Sequence, residues 1–198
     1  MRILVAGAKR SPLSDAVVEY VRLHPRADLA GVSTTTLTPS DVRDSATDLL
    51  LSAAHPYFID AALRAIPRLG AVGLHPSLLP RYRGSYPLWW ALRDGEPEAG
   101  LTLFHLVDEI DAGPILGQRR VPIAPGDTFA SLYARVVREA PPLLDGLLDS
   151  IVRFSAVPAG DAQDQSLATY VRMPSLVPRV GTKASLALRA IRHGRWPV

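Results

Sequence analysis

Short apolar runs rich in Val, Ile and Leu alternate with amphipathic stretches along the first half of the chain. Four of these runs are typical of successive strands: residues 3–6, 29–32, 49–53 and 71–74. Ser14 and Asp15 are predicted to cap a helix between the first two runs. The apolar stripe of that helix, Val17, Val18 and Val21, has helical spacing. Strands that alternate with helices predict an α/β fold, with a mostly parallel sheet covered by helices on both faces.

After the fourth run the pattern changes to a loop rich in Pro, Arg and Gly over residues 75–87. A short helix through Trp89 and Trp90 is predicted next. Two further strands are predicted over residues 101–107 and 115–123, and an acidic turn joins them. The second half of the chain therefore adds a hairpin of strands to the sheet.

A long helix is predicted to begin at residues 127–128, and the Pro pair at 141–142 kinks or divides it. Its apolar face closes the core of a main domain that we place at residues 1–154. A C-terminal extension, residues 155–198, contains a basic amphipathic stretch at residues 182–193. We expect this stretch to form a helix that docks on the core, makes a homodimer contact or lies on an anionic surface.

Composition excludes several classes of protein. The 198 residues are 47% apolar, enough to bury the core of one domain, and no run reaches the roughly 18 apolar residues of a membrane span. The absence of Cys excludes disulfides and thiolate chemistry, and the five His lack the spacing of metal ligands. A net charge of only +3 gives little support for nucleic-acid binding. We expect a cytoplasmic protein without metal, membrane or nucleic-acid partners.

Two polar loops follow strands on the same predicted sheet. His75 stands where the fourth strand ends, and Asp108, Glu109 and Asp111 lie in the acidic turn. Ligands and catalytic groups gather at the carboxyl ends of parallel strands. A carboxylate beside an imidazole is the common arrangement for acid–base chemistry near neutral pH. The alternative is an isolated loop histidine and a solvated acidic turn.

The motifs in these loops resemble those of the formyltransferases that use 10-formyltetrahydrofolate. Residues 74–84 read Leu-His-Pro-Ser-Leu-Leu-Pro-Arg-Tyr-Arg-Gly, and residues 111–115 read Asp-Ala-Gly-Pro-Ile. The resemblance extends over residues 48–148. It implies a Rossmann-like formyltransferase domain, one-carbon transfer from 10-formyltetrahydrofolate, and His75 and Asp111 as the catalytic pair.

Formyl transfer requires a hydrogen-bond donor for the developing oxyanion and a route for the proton of the attacking amine. We expect His75 to supply both, and Asp111 to hold the imidazole and a water. The family's Asn-x-His motif is altered, because Gly73 stands where the Asn is expected. Loss of one such donor typically costs about 2.7–4 kcal/mol. Either Ser52, His55 or a water replaces the amide, or the protein is a slow or hydrolytic enzyme, or it only binds folate.

The resemblance also implies where the pterin of the formyl donor binds. The resemblance places the pterin in a cleft between the loop after the third strand and the acidic loop, where backbone groups recognise the pterin. The corresponding residues here are Tyr57, Phe58, Ile59, Val107, Asp108, Ile110 and Asp111. An apolar, aromatic rim suits a flat heterocycle. Ordinary packing at a helix start is the alternative for the first three.

The amine acceptor is a small molecule in this interpretation. Residues 83–91 and the Ala-Thr-Tyr of residues 168–170 resemble the amino-sugar and tRNA branches of the family. Only about 40 residues follow the predicted core, which favours a nucleotide-linked amino sugar over tRNA. The residues expected to contact the acceptor are Ser77, Arg81, Arg83 and Trp89. Loop anchoring is the alternative for the arginines, and helix packing for the tryptophan.

Overall fold

The computed structural model describes residues 1–174, and its centre is a six-stranded sheet. The described residues contain eight strands in all: β1 (Arg2–Gly7), β2 (Asp28–Ser33), β3 (Leu49–Ala53), β4 (Ala71–His75), β5 (Arg83–Gly84), β6 (Glu98–His105), β7 (Ile115–Pro122) and β8 (Tyr170–Val171). The large sheet has the order β2-β1-β3-β4-β6-β7, and β5 pairs with β8 in a separate ribbon. The first four strands of the large sheet are parallel, whereas β6 is antiparallel to both of its neighbours, β4 and β7. The predicted α/β fold with a mostly parallel sheet is confirmed.

Helices cover both faces of the sheet. They are α1 (Pro12–Leu23), α2 (Pro39–Asp44), α3 (Ala61–Arg64), α4 (Pro87–Asp94), α5 (Phe129–Val137) and α6 (Ala140–Phe154). Alternate residues of a strand point to opposite faces. In β1, Ile3 and Val5 accordingly join the core under α1, α4, α5 and α6, whereas Leu4 and Ala6 join a smaller core under α2 and α3. None of these helices is long and apolar enough to cross a membrane.

The predicted cap of α1 is wrong by one turn. Ser11 caps the helix, and its side chain accepts a hydrogen bond from the backbone N–H of Ser14. Ser14 is instead buried inside the first turn, where its hydroxyl donates to the carbonyl of Ala53 and accepts from the N–H of Ala8. Its hydroxyl therefore joins the ends of β1 and β3.

The helix expected after residue 128 is divided rather than kinked. Thr128 caps α5, and a new helix begins at Ala140 with Pro141 and Pro142 in its first turn. Proline is tolerated there because the first N–H groups of a helix have no intrahelical partner. The strands β6 and β7 end at His105 and Pro122, slightly before the predicted limits.

The described part of the C-terminal extension returns to the main domain. Asp161 forms an isolated antiparallel bridge with Ile115, and Tyr170 and Val171 pair with the loop after β4 as strand β8. A single 3-10 turn, Gln165–Leu167, lies between these contacts. The amphipathic helix predicted at residues 182–193 lies outside the described residues.

Candidate active site

The structure brings His75 and Asp111 together at the edge of the sheet. His75 ends β4 and is 6% exposed. Its Nδ1 atom lies 3.5 Å from Oδ2 of Asp111, which is ion-pair range but longer than a hydrogen bond. Its Nε2 atom lies 2.8 Å from the carbonyl oxygen of Tyr82. The imidazole is thus held from one side and faces a carboxylate on the other.

The contact with Tyr82 fixes the tautomer of neutral His75. A carbonyl oxygen only accepts hydrogen bonds, so Nε2 must carry the proton. The lone pair of Nδ1 is then available on the side of Asp111. When Nδ1 takes up a proton, Coulomb attraction to the Asp111 carboxylate stabilises the imidazolium. This arrangement suits a group that accepts a proton and then donates a hydrogen bond.

Backbone geometry holds the carboxylate of Asp111. Its Oδ2 accepts a hydrogen bond of 2.8 Å from the N–H of Gly84. Gly84 has a φ of +98°, and a Cβ atom there would lie 2.3 Å from the carbonyl oxygen of Val171. Only glycine fits this close approach of β5 to β8. Asp111 itself has a φ of +53°, a left-handed conformation that is uncommon outside glycine.

Gly73 occupies a filled part of β4. A Cβ atom at this position would lie 2.9 Å from side-chain atoms of both Phe104 and Leu106. These two side chains take the space in which an Asn side chain would begin. The missing amide is therefore accompanied by a change in its surroundings, and Ser52 is the register partner of Gly73 in β3.

His55 stands beyond the end of β3, near the end of β1. Its Nδ1–H donates to the carbonyl of Gly7 at 3.1 Å, and its buried Nε2 has no hydrogen-bond partner in the structure described. Burial lowers the pKa of His55 below its ordinary value of 6.5, although the bond to Gly7 opposes this. The ring is neutral at pH 7, so Nε2 is an acceptor. Neutral His55 accordingly does not replace the amide donor missing at Gly73.

The residues predicted to bind the pterin fall into two groups. Phe58 and Ile110 are 55% and 58% exposed, Tyr57 is also exposed, and Val107 and Asp111 are half-buried. Ile59 is buried in the smaller core, and its carbonyl accepts a hydrogen bond from Arg64. Ile59 therefore has the packing role that was the alternative. The exposed group retains the predicted apolar rim.

Arg64 joins the two walls of this predicted cleft. It donates to the carbonyl of Ile59 in one wall and forms an ion pair with the exposed Asp108 in the other. The loop after β3 and the acidic loop are thus neighbours, as the resemblance implies. The exposed side chains of Tyr57, Phe58 and Ile110 fit a flat heterocycle.

The structure favours anchoring roles for two of the predicted acceptor residues. Ser77 is buried, and its hydroxyl donates to the carbonyl of Arg81 in the same loop. Arg83 is wholly buried, and its guanidinium binds Gln163, Tyr170 and Glu109. Direct contact with an acceptor is not available to a guanidinium in this position.

Arg81 and Trp89 remain accessible. Arg81 is exposed and forms an ion pair with Glu96, and Trp89 is half-buried with its ring 5.0 Å from that of Trp90. A cleft of about 470 Å³ lies beside Arg81 and Trp90. Its lining residues include Arg81, Trp90, Arg93, Asp94 and Arg172.

Reasoning from the sequence missed the roles of three groups at the site. Tyr82 and Gly84 lie in the motif of residues 74–84, but Tyr82 acts through its carbonyl and Gly84 through its N–H, whereas Gln163 acts through a buried amide in the C-terminal extension. Residue type does not show which side chain a backbone group contacts, and Gln163 stands in a polar stretch without periodicity. Within residues 1–174 there is no cluster of three or more His, Asp or Glu arranged to hold a metal ion.

Comparison with known proteins agrees with the motifs. A family model described as "Formyl transferase" matches residues 5–145. A methionyl-tRNA formyltransferase from Halalkalibacterium halodurans is 36% identical over 151 residues, which cover 68% of this chain and 44% of that protein. Another, from Acidithiobacillus ferrooxidans, is 37% identical over 131 residues, which cover 65% and 41%. The chain thus spans less than half the length of these curated relatives.

Solved structures share the fold over most of the described chain. The formyltransferase PseJ from Anoxybacillus kamchatkensis, in complex with UDP-4,6-dideoxy-4-formamido-L-AltNAc and tetrahydrofolate, has a TM-score of 0.67 at 22% identity. The match covers 87% of this chain and 86% of that one. HypX from Aquifex aeolicus, in complex with tetrahydrofolic acid, has a TM-score of 0.76 at 22% identity, over 96% of this chain and 33% of that one. The predicted fold is confirmed, and the chain belongs to the formyl transferase family.

Proposed function

We propose that the protein transfers a formyl group from 10-formyltetrahydrofolate to the primary amine of a nucleotide-linked amino sugar. The observation that carries the proposal is the pairing of His75 and Asp111 at the sheet edge, with Nδ1 and Oδ2 3.5 Å apart. The hydrogen bond from Nε2 to the Tyr82 carbonyl gives neutral His75 the tautomer in which Nδ1 is the basic nitrogen.

The residues of the cleft suit this formyl donor. Tyr57, Phe58, Ile110 and Val107 would line the pterin. When bound there, 10-formyltetrahydrofolate supplies the formyl group that is transferred. The two solved structures described above are complexes with tetrahydrofolate or tetrahydrofolic acid, and both have the same fold as this chain.

The catalytic roles follow from the positions of the two side chains. Nδ1 of His75 would accept the proton that the attacking amine loses, while Asp111 stabilises the imidazolium by its charge. The protonated Nδ1–H is then a donor in a buried position, where hydrogen bonds to developing charge are strong. His75 would then return this proton to the folate nitrogen, whose bond to the formyl carbon breaks as tetrahydrofolate leaves. Because Gly73 supplies no amide, His75 carries a larger share of this stabilisation than in relatives with the Asn.

A small acceptor agrees with the low net charge of +3. Ten arginines in residues 1–174 form ion pairs with carboxylates, which leaves fewer cations for contacts with phosphate groups. Sugar N-formyltransferases are also among the solved structures with this fold, including one from Shewanella with a TM-score of 0.70 at 21% identity, over 95% of this chain and 87% of that one. We place the acceptor beside Trp89 and Arg81.

Methionyl-tRNA is a second candidate acceptor. The curated relatives at 36% and 37% identity are methionyl-tRNA formyltransferases, which favours it by sequence. Affinity for tRNA falls steeply with salt, whereas binding of a sugar nucleotide makes few phosphate contacts and changes little. Salt dependence of the transfer rate therefore separates the two candidates.

The test is an incubation of the purified protein with 10-formyltetrahydrofolate and a panel of acceptors. The panel contains UDP- and dTDP-linked amino sugars, methionyl-tRNA and simple amines, with tetrahydrofolate release and acceptor mass as readouts. Formylation of an amino-sugar nucleotide by wild type and by Asp149→Ala, but not by His75→Ala or Asp111→Ala, would support the proposal. Asp149 is an exposed carboxylate in an ion pair with Arg26, remote in sequence from both loops.

Other outcomes would replace the proposal. Formylation of methionyl-tRNA alone would establish the second candidate. Release of tetrahydrofolate without any amine would indicate a 10-formyltetrahydrofolate hydrolase. Binding of the donor without turnover would indicate a folate-binding protein whose catalysis is lost, in agreement with Gly73.

A further inference from the structure

Gln163 lies in the C-terminal extension, outside the residues that the family model matches, and yet it contacts both catalytic loops. It is 7% exposed. Its Oε1 accepts hydrogen bonds from Nε and Nη2 of Arg83 at 3.0 and 2.6 Å. Its Nε2 donates to the carbonyl oxygens of Asp111 and Gly113 at 2.9 and 2.7 Å. Every hydrogen-bonding group of this buried amide is therefore used.

The orientation of this amide is unambiguous. A guanidinium only donates hydrogen bonds and a carbonyl oxygen only accepts them, so the oxygen of Gln163 must face Arg83 and the nitrogen must face the two carbonyls. A carboxylate would supply the acceptor but no donor, and an apolar side chain would supply neither. Glutamine meets both requirements at this length.

Arg83 connects Gln163 to the loop that contacts the catalytic pair. It lies between Tyr82, whose carbonyl holds Nε2 of His75, and Gly84, whose N–H holds the carboxylate of Asp111. The guanidinium is wholly buried, and Tyr170 and Glu109 bind its remaining nitrogen, Nη1. A buried cation with these partners fixes the backbone on either side of it.

The second connection runs from Gln163 to the turn that contains Asp111. The backbone of Asp111 has the left-handed conformation at φ +53°, which is uncommon for residues other than glycine and persists when neighbours enforce it. Gln163 bonds the carbonyl of Asp111 itself and that of Gly113, two residues later. These bonds hold the turn from which the carboxylate reaches His75.

We propose that Gln163 is a positioning residue for formyl transfer. Its amide joins the loop after β4 to the loop after β6 and so maintains the 3.5 Å separation of His75 Nδ1 and Asp111 Oδ2. The inference rests on the proposed function for its kinetic consequence, but the separation of the two atoms is a property of the protein alone. It makes the extension a part of the catalytic unit.

The kinetic test compares Gln163→Leu and Gln163→Glu with wild type and with Leu167→Gln, a change at an exposed neighbouring residue used as a control. Misplacing a catalytic group by about 1 Å costs roughly 100-fold in rate. We expect kcat to fall by about 10- to 100-fold in both Gln163 variants, with KM for the formyl donor within about twofold of wild type. Gln163→Glu keeps the acceptor for Arg83, so it tests the donors to Asp111 and Gly113 even if Gln163→Leu does not fold.

A double-mutant cycle separates positioning from general destabilisation. If Gln163 acts through Asp111, then Gln163→Glu adds little to the loss in an Asp111→Asn background, because the group that it positions is already gone. Full additivity of the two losses, or a kcat in both Gln163 variants equal to wild type, would overturn the proposal.

A crystal structure of Gln163→Glu gives a readout that does not depend on activity. We expect the Nδ1 to Oδ2 separation to exceed about 4 Å, the outer limit of an ion pair. An unchanged 3.5 Å separation would overturn the positioning role even if the wild-type enzyme transfers formyl groups. Absence of transfer by wild type, with the separation lost in the variant, would overturn the proposed function but not the structural role of Gln163.

Discussion

The backbone carbonyl of Tyr82 lies 2.8 Å from Nε2 of His75, and this contact decides which imidazole nitrogen is basic. Tyr82 has a left-handed backbone with φ +59°, so its carbonyl points in a direction that ordinary strand or helix geometry would not give. Its phenol binds Asp94 and Glu96, and burial together with these carboxylates raises the pKa of Tyr82 well above its ordinary value of 10. The residue is held at its backbone and at its side chain.

Thr169 supports this conformation, and its replacement tests the support. Its Oγ1 accepts the N–H of Tyr82 at 2.8 Å. Thr169→Val leaves that N–H without an acceptor, so we expect a loss of about 1–3 kcal/mol in the free energy of unfolding. Thr169→Ser keeps the hydroxyl and should stay within about 0.5 kcal/mol of wild type. Urea unfolding measures both variants, and equal stability of the two would contradict the role of this bond.

Gly73 is expected to resist restoration of an amide. Gly73→Ala places a Cβ atom 2.9 Å from Phe104 and Leu106, and overpacking of this kind costs about 1–3 kcal/mol. Gly73→Asn should therefore destabilise the protein without raising kcat. Addition of Phe104→Leu should recover part of the stability, because it removes ring atoms from the contact.

The matched control for this prediction is a glycine with open surroundings. A Cβ atom at Gly146, in α6, meets nothing within 4 Å. Gly146→Ala should raise the free energy of unfolding by about 0.8–1 kcal/mol, because alanine is the better helix former. A lower stability of Gly146→Ala, or an unchanged stability of Gly73→Ala, would contradict the difference in available space between these two positions.

His55 gives the stability a dependence on pH. Its pKa in the folded protein is lowered from the ordinary value of 6.5 by burial, so the unfolded chain binds more protons just below that pH. Stability therefore rises with pH through this window, is fully present above about pH 6.5, and is lost as pH falls towards the folded pKa. In urea unfolding at about pH 7.5 and about pH 5.5, wild type should lose more stability than His55→Gln on acidification. Identical losses would contradict burial of the neutral ring.

Phe58 and Ile110 are expected to contribute to binding of the formyl donor. Both are more than half exposed in the protein alone, so a flat ligand can cover them. Covering the exposed half of one such side chain is worth about 1–1.5 kcal/mol, or roughly 5- to 10-fold in affinity. Titration of tetrahydrofolate against Phe58→Ser and Ile110→Asn measures this loss. Phe154→Ser, which changes an exposed residue at the end of α6, should bind as wild type does.

The parts of the fold that apolar patterning controls were predictable. The third run coincides with β3, because Leu49, Leu50 and Leu51 are buried by their position in the sheet centre. The start of α1 was predicted wrongly, because Ser11 and Ser14 are equally good caps by residue type. Packing chose Ser11 and placed the hydroxyl of Ser14 between two strand ends. Local residue preference alone does not determine which of the two serines caps the helix.

The site was only partly predictable for a similar reason. His75 and Asp111 lie in motifs, and their contact follows from strands that end at one sheet edge. Arg83 is different, since its residue type suggests a ligand contact, whereas complete burial with Gln163 gives it an anchoring role. Burial of a cation depends on partners far away in the sequence, here 80 residues later. No pattern in the residues around Arg83 predicts this burial.

The most direct test of the catalytic pair is formyl transfer from 10-formyltetrahydrofolate by wild type, Asp111→Asn and His75→Ala, with a UDP-linked amino sugar as the acceptor. We expect wild type to add one formyl group to the amine and each variant to lose about 100-fold or more in kcat/KM, while both variants remain folded. Transfer by His75→Ala at the wild-type rate would contradict this expectation, because the paired imidazole and carboxylate would then have no part in the chemistry.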